Sequence, residues 1–152
     1  MSLTEQLQSD MKAAMRGGET ERRDTLRMAI AAVQHAAKDK RAALSDEETT
    51  EVLTREVKQR RESIEAYESA GRSDLAASEQ AEVDILTPYL PEQLSEDEVQ
   101  ALVRDAVAST GATSTRDMGR VMGQLMPRVK GRADGKLVSR LVSQELAGAE
   151  QA

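Results

Sequence analysis

The residues best equipped for chemistry lie late in the chain. In Arg128-Val129-Lys130-Gly131-Arg132-Ala133-Asp134-Gly135-Lys136, two glycines flank a tight turn, a helix start follows, and four cations surround it. Free amides at a helix N-terminus favour anions, and clustered Arg and Lys add to that, so the segment reads as a phosphate-contacting turn. Asp134 competes for the same amides as a helix cap, and a capped loop with exposed charges is the alternative. Just upstream, Met118-Gly119-Arg120-Val121-Met122-Gly123-Gln124-Leu125-Met126-Pro127 places Gly119 and Gly123 on one helix face. Each glycine costs roughly 1 kcal/mol against alanine inside a helix, so a pair of them implies a close neighbour. That neighbour is a packed helix or, in the functional reading, a sugar–phosphate backbone. The candidate nucleic-acid contacts are Arg116, Arg120, Arg128, Lys130, Arg132, Lys136 and Arg140, with Gly119, Gly123, Gly131 and Gly135 permitting close approach.

Other chemistries find little to use. The chain has no Cys and a single histidine, His35. Disulfides, thiolate zinc sites, iron–sulfur clusters and thiol nucleophiles are excluded, and a histidine-based metal site has no second ligand. Glu79 and Glu82 could form an acid–base pair, but on so acidic a helix they read as a solvated face or as partners of arginines. No Gly-rich loop runs into Lys-Ser/Thr, and there is no nucleophile elbow. No catalytic residue, metal or cofactor is expected. Lys58, Arg60 and Arg61, set among glutamates, read as intrahelical pairing.

The elements that must carry these residues are helices. Leu3, Leu7, Met11 and Met15 form an i, i+4 row that stops near Gly17-Gly18. A second helix is expected from Glu21 to Arg41, with Leu26, Ile30, Val33 and Ala37 inward. Ser45-Asp46-Glu47-Glu48 is a capping box opening a third, lined by Val52 or Leu53, Val57, Ile64 and Tyr67 and ended at Gly71. Ser73 is expected to cap a fourth, carrying Leu75, Val83 and Leu86. Two prolines in Thr87-Pro88-Tyr89-Leu90-Pro91 make a continuous helix costly, so the inter-domain joint is expected over Pro88 to Leu94. Ser95-Glu96-Asp97-Glu98 opens a fifth helix, and Thr110-Gly111 stops it. Ser114 to Asp117 caps a sixth, short one ending near Met126-Pro127. Asp134 caps a seventh through Leu137, Val138, Leu141, Val142 and Leu146, with Gly148 to Ala152 expected to fray. The reading is all-α: four helices in domain 1–90 and three in domain 91–152, with no period-2 alternation of a strand anywhere.

Composition agrees. Charged residues make up 32% of the 152, and Phe and Trp are absent. A core must therefore come from Leu, Val, Ile, Met and Ala, each worth roughly 1.5–3 kcal/mol when fully buried, less for Ala. Net charge is −6, but it is segregated: residues 1–90 carry 13 Lys+Arg against 18 Asp+Glu, whereas residues 111–140 carry seven against two. With both tyrosines in the first ninety residues, the basic segment has no aromatic platform for base stacking, so RNA recognition would rest on folded shape and phosphates. The N-terminal residues lack an apolar signal core and no apolar run has the length of a membrane span, so a cytoplasmic protein without membrane contact is expected.

Several ordered pieces resemble the YqeY-like family: Thr25-Leu26-Arg27-Met28, Val57-Lys58-Gln59-Arg60 with Ser63-Ile64 and Tyr67, Gly71-Arg72-Ser73-Asp74-Leu75, Tyr89-Leu90-Pro91, and Met118 to Gly123 through Gly131 to Gly135. The C-terminal half is similar to the tail domain of the B subunit of the tRNA-dependent Asp/Glu amidotransferase. The resemblance implies an N-terminal four-helix bundle followed by a C-terminal three-helix bundle of the GatB/YqeY type. It further implies an accessory or adaptor role with tRNA or another structured RNA as partner, alongside a tRNA-modifying or aminoacylation enzyme. A protein-interaction module docking such an enzyme is the alternative. Carbon–nitrogen ligase activity with glutamine as amido donor would follow by domain similarity only, since the residues that perform it have no counterpart here.

Overall fold

The structure is a computed structural model that describes residues 1–151. Its helices are α1 (Leu3–Arg16), α2 (Thr20–Lys40), α3 (Asp46–Ser69), α4 (Ser73–Leu86), α5 (Glu96–Thr110), α6 (Met118–Val129) and α7 (Gly135–Glu150). Short 3-10 turns span Thr87–Tyr89 and Thr115–Asp117, and no strand occurs among the described residues. The fold is all-α.

Local chemistry explains most helix starts. Ser2, Ser45 and Ser95 each accept from the amide three residues on, and Glu5, Glu48 and Glu98 return a carboxylate to the serine amide. Such caps contribute about 1 kcal/mol each. Gly111, at φ +69°, ends α5 in the left-handed conformation that glycine adopts without strain.

Four local expectations are corrected. Ser73 is inside α4 and the N-cap is Arg72, which makes no side-chain cap bond. Asp74 takes the anionic place in that first turn: its bonds from the Arg72 guanidinium and then from the Leu75 amide hold its carboxyl below the ordinary range. Met15 is 47% exposed while Ala14 is buried. An i, i+4 row drifts by about 40° per step on a helix of 3.6 residues per turn, so after three steps Met15 has left the core. α6 continues through Pro127 to Val129. The proline deprives only the Gly123 carbonyl of its N–H, Gly123 is exposed to water, and the extra turn buries Val129 completely. Finally, α7 stays helical to Glu150, whose carboxylate accepts from the Thr115 amide at 2.7 Å and the Thr115 hydroxyl at 3.0 Å. Ala152 lies outside the described residues.

The chain divides into two compact units, Met1–Pro91 and a second that begins at Glu92. The first buries Leu7, Leu26, Ile30, Val33, Leu53, Val57, Val83 and Leu86. The second buries Val99, Val103, Val121, Leu125, Val129, Val138, Val142 and Leu146. Within the first, Arg60 is only 8% exposed. It bonds the Glu56 carboxylate on its own helix at 2.9 Å and the Glu82 carboxylate on α4 at 3.3 Å. The expected intrahelical pair is thus present, and a cross-helix partner is added to it. Burial, then the neighbouring Glu79 charge, raises the Glu82 carboxyl above its ordinary value despite Arg60.

The chain on either side of Pro91 is tied down. The Tyr89 hydroxyl donates to Asp10 on α1 and accepts from Arg22 on α2 at 3.1 Å. Glu92, Gln93 and Leu94 are fastened to the turn between α6 and α7, with the Leu94 amide donating to the Arg132 carbonyl at 2.8 Å. Burial, then the bond to Asp10, pushes the Tyr89 hydroxyl up to about 12. Because the folded value lies above the ordinary value of 10.0, this contribution is fully present below pH 10 and disappears as pH rises through about 12. Urea unfolding is expected to show the first unit weakening over that interval. Tyr89→Phe should cost about 1–2 kcal/mol at neutral pH, after discounting a charge-assisted bond for partial exposure, and should remove that part of the pH dependence. Parallel alkaline profiles for the two proteins would contradict the assignment.

Candidate nucleic-acid interface

α6 sets the geometry. Val121, Leu125 and Val129 are buried, and Met118, Met122 and Met126 are half-buried beside them. At 3.6 residues per turn, the side opposite that core is the row Gly119, Gly123 and Pro127, flanked by the row Arg120, Gln124 and Arg128. All six of these residues are exposed. A Cβ added at Gly119 or Gly123 meets nothing within 4 Å. The packed-helix explanation of the glycine pair is therefore overturned: among the described residues no neighbour uses the bare face. Between the two glycines and the proline ring, α6 presents backbone, including the Gly123 carbonyl that Pro127 leaves without an intrahelical donor.

The cations are spread over α6, the turns on either side of it, and α7. Arg116 is exposed in the turn that precedes α6, and among the described residues it meets no carboxylate. Arg120 pairs with Asp117 at 3.0 Å, and Arg128 with Asp105 of α5 at 3.0 Å. The amides of Thr113 and Ser114 hold the Asp117 carboxyl below its ordinary value, Arg120 contributing less. Lys130, Gly131 and Arg132 form the turn after α6, and Gly131 takes φ +74° there. Lys136 and Arg140 lie on the exposed side of α7, with Arg140 reaching Glu96 at the start of α5 at 3.2 Å. Gly135 is the first residue of α7, with open space around its missing Cβ.

The helix start that was to cradle an anion is already capped. Asp134 accepts from the Lys136 amide at 3.2 Å, so a carboxylate occupies the N-terminus of α7. Arg132 is likewise engaged, its Nε donating to the Glu92 carbonyl at 3.2 Å and Nη1 to the Arg128 carbonyl at 3.4 Å. Arg120 and Arg128 lie on α6 and Arg116 and Lys130 at its two ends, with the bare glycine face beside them.

Two features escaped the sequence reading. Gln124 sits midway in the arginine row and donates to Ser109 at 2.6 Å; its spacing of four from both arginines was a legible signal. The second is charge balance. From Glu92 onward there are eight Lys+Arg against nine Asp+Glu, so the positive segment is offset by acids on α5 and near the end of α7. Exposed ion pairs contribute about 0–1 kcal/mol each, so a phosphate can displace the carboxylates of Asp117, Asp105 or Glu96.

Elsewhere, His35 is exposed and lies 3.7 Å from Asp39, one helical turn away. Among the described residues there is no group of three or more His, Asp or Glu placed to hold a metal ion, and no helix is long and apolar enough to cross a membrane.

The chain is similar to known proteins along much of its length. It is 34% identical over 103 residues to "Altered inheritance of mitochondria protein 41, mitochondrial" of Pyrenophora tritici-repentis, a match covering 66% of this chain and 57% of that protein. It is 31% identical over 71 residues to an uncharacterized protein of Schizosaccharomyces pombe, covering 47% of this chain and 58% of the other. The chain thus spans less than two thirds of either curated relative. The family model for Yqey-like proteins matches residues 4–146, and the chain belongs to that family.

Proposed function

We propose that this chain is a non-catalytic accessory module that binds structured RNA, tRNA above all, through its second unit and presents it to a separate enzyme. The two helix sets support a four-helix bundle followed by a three-helix bundle, the second carrying the RNA. One observation carries the reading: Gly119 and Gly123 leave a helix face bare beside the row of Arg120 and Arg128, at a cost in helix stability, and nothing among the described residues fills it. A sugar–phosphate backbone can approach such a face closely, with Arg116, Arg120, Arg128 and Lys130 alongside. Without aromatics in this unit, recognition works on folded shape. Chemistry is left to the partner: His35 projects into solvent beside Asp39, and Glu82 is committed to Arg60.

The experiment uses Gly119→Ala with Gly123→Ala. An added methyl meets open space in the free protein, so the pair should stabilise the second unit by about 0.5–1 kcal/mol at Gly123 and less at first-turn Gly119. The same methyls should weaken binding of folded tRNA roughly 5–30-fold, equivalent to about 1–2 kcal/mol. Unchanged tRNA affinity in the stabilised variant would remove the observation on which the reading stands. A protein partner is the second reading, favoured by the slight excess of acids over bases in the second unit. It would show as capture of an aminoacylation or tRNA-modifying enzyme that is insensitive to ribonuclease.

A further inference from the structure

Arg132 ties the cationic turn to the first residues of the second unit. Its Nε donates to the Glu92 carbonyl at 3.2 Å and its Nη1 to the Arg128 carbonyl at 3.4 Å. Its own carbonyl accepts from the Leu94 amide at 2.8 Å, and the neighbouring Gly131 carbonyl accepts from the Gln93 side chain at 2.8 Å. Residues 92–94 thus form a strap laid across the turn, entered directly from Pro91, the last residue of the first unit.

A guanidinium grips phosphate with two N–H groups of one edge, either Nε with Nη2 or Nη1 with Nη2. In Arg132 the single Nε N–H is given to the Glu92 carbonyl, and one of the two Nη1 N–H groups to the Arg128 carbonyl. A phosphate bound on the Nε–Nη2 edge must displace Glu92. A phosphate oxygen brings a full negative charge to the guanidinium where a carbonyl brings only a dipole, and both carbonyl bonds here are long and exposed, so the exchange is favourable. Loss of the Arg128 contact stays within the turn. Loss of the Glu92 contact reaches the strap.

We propose that Arg132 is a conformational switch: it fastens the strap in the free chain, and an anion bound at the Lys130–Arg132 turn takes its Nε edge and releases Glu92 to Leu94. Occupancy of the turn thereby frees the first residues of the second unit. This rests on the reading that the second unit takes phosphates, and it adds a regulated strap to that reading. Thermodynamic reciprocity demands the converse: weakening the strap by other means tightens anion binding.

The test is amide exchange and chemical shift on the full chain, with inorganic tripolyphosphate and folded tRNA as separate probes. Saturation with either is expected to accelerate exchange of the Leu94 amide by about fivefold or more, the lower end of ordinary coupling. Gln93→Ala should accelerate Leu94 exchange without any probe and bind both probes several-fold more tightly. Shifts at the Lys130 and Gly131 amides with Leu94 exchange unchanged would overturn the switch, as would unchanged or weakened binding by Gln93→Ala. If tRNA binds while neither probe accelerates Leu94 exchange, the switch fails and the RNA reading stands. If tripolyphosphate releases Leu94 while tRNA does not bind, the switch stands and the RNA reading fails.

Discussion

Raising monovalent salt from about 50 to about 200 mM is expected to weaken binding of folded tRNA by roughly a hundredfold, because each phosphate contact releases counterions with a log–log slope of about 0.9. The estimate takes about four cations as engaged at once, as Arg116, Arg120, Arg128 and Lys130 along α6 would allow. Arg116 is exposed and meets no carboxylate among the described residues, so Arg116→Ala should flatten the slope by about 0.7–0.9 without disturbing the fold. Arg120→Ala should do the same while leaving Asp117 held by the amides of Thr113 and Ser114. Arg132→Ala reports on two things together, since Arg132 also fastens Glu92. The net charge of −6 sets a low ceiling on affinity through long-range repulsion, which makes local cations the whole of the attraction. An unstructured oligonucleotide of equal length should bind more weakly at both salts. Equal affinity for the two nucleic acids would defeat shape recognition, and a salt-insensitive interaction would defeat phosphate contact.

The largest effect on stability is expected at Arg60. Arg60→Met keeps much of the apolar stem but leaves Glu56 and Glu82 partly buried without their cation. Breaking a buried pair on one side typically costs about 3–5 kcal/mol; with both carboxylates still partly solvated, about 2–4 kcal/mol is expected. The pH profile identifies the cause. Burial and Glu79 already raise the Glu82 carboxyl, and Arg60 opposes them, so the variant's carboxyl should rise further. A carboxyl whose folded value exceeds its unfolded one takes its proton first in the folded state. The deficit should therefore be full at neutral pH and shrink as pH falls through the raised value toward the ordinary 4.5. Urea unfolding between pH 4.5 and pH 7 checks this. A deficit below about 1 kcal/mol, or one flat across that range, would show that Arg60 is replaceable packing.

What the sequence determined by itself is local. Caps at Ser45, Ser95 and Asp134, the stop at Gly111, and the inward rows of α2, α5 and α7 all depend on residues three or four apart, and those rules hold wherever a helix forms. The ordered motifs from Thr25 to Gly135 were enough to recognise the family. Where local pattern and structure differ, the cause is the same. Helix drift moves Met15 out of the core, and the burial of Val129 carries α6 past Pro127, and neither follows from neighbours three or four residues away.

Only the tertiary structure decided the site. Arg128 finds Asp105 twenty-three residues away, Arg140 finds Glu96 at forty-four, and Arg132 finds Glu92 at forty. No spacing rule encodes such partners, because they depend on how α5, α6 and α7 lie against one another. The glycine pair shows the division most clearly. From the sequence, Gly119 and Gly123 reveal a cost to α6, since the penalty of a glycine is intrinsic to the backbone. Whether a neighbouring helix offsets that cost is a question about space, and in the folded unit the space above both glycines is empty.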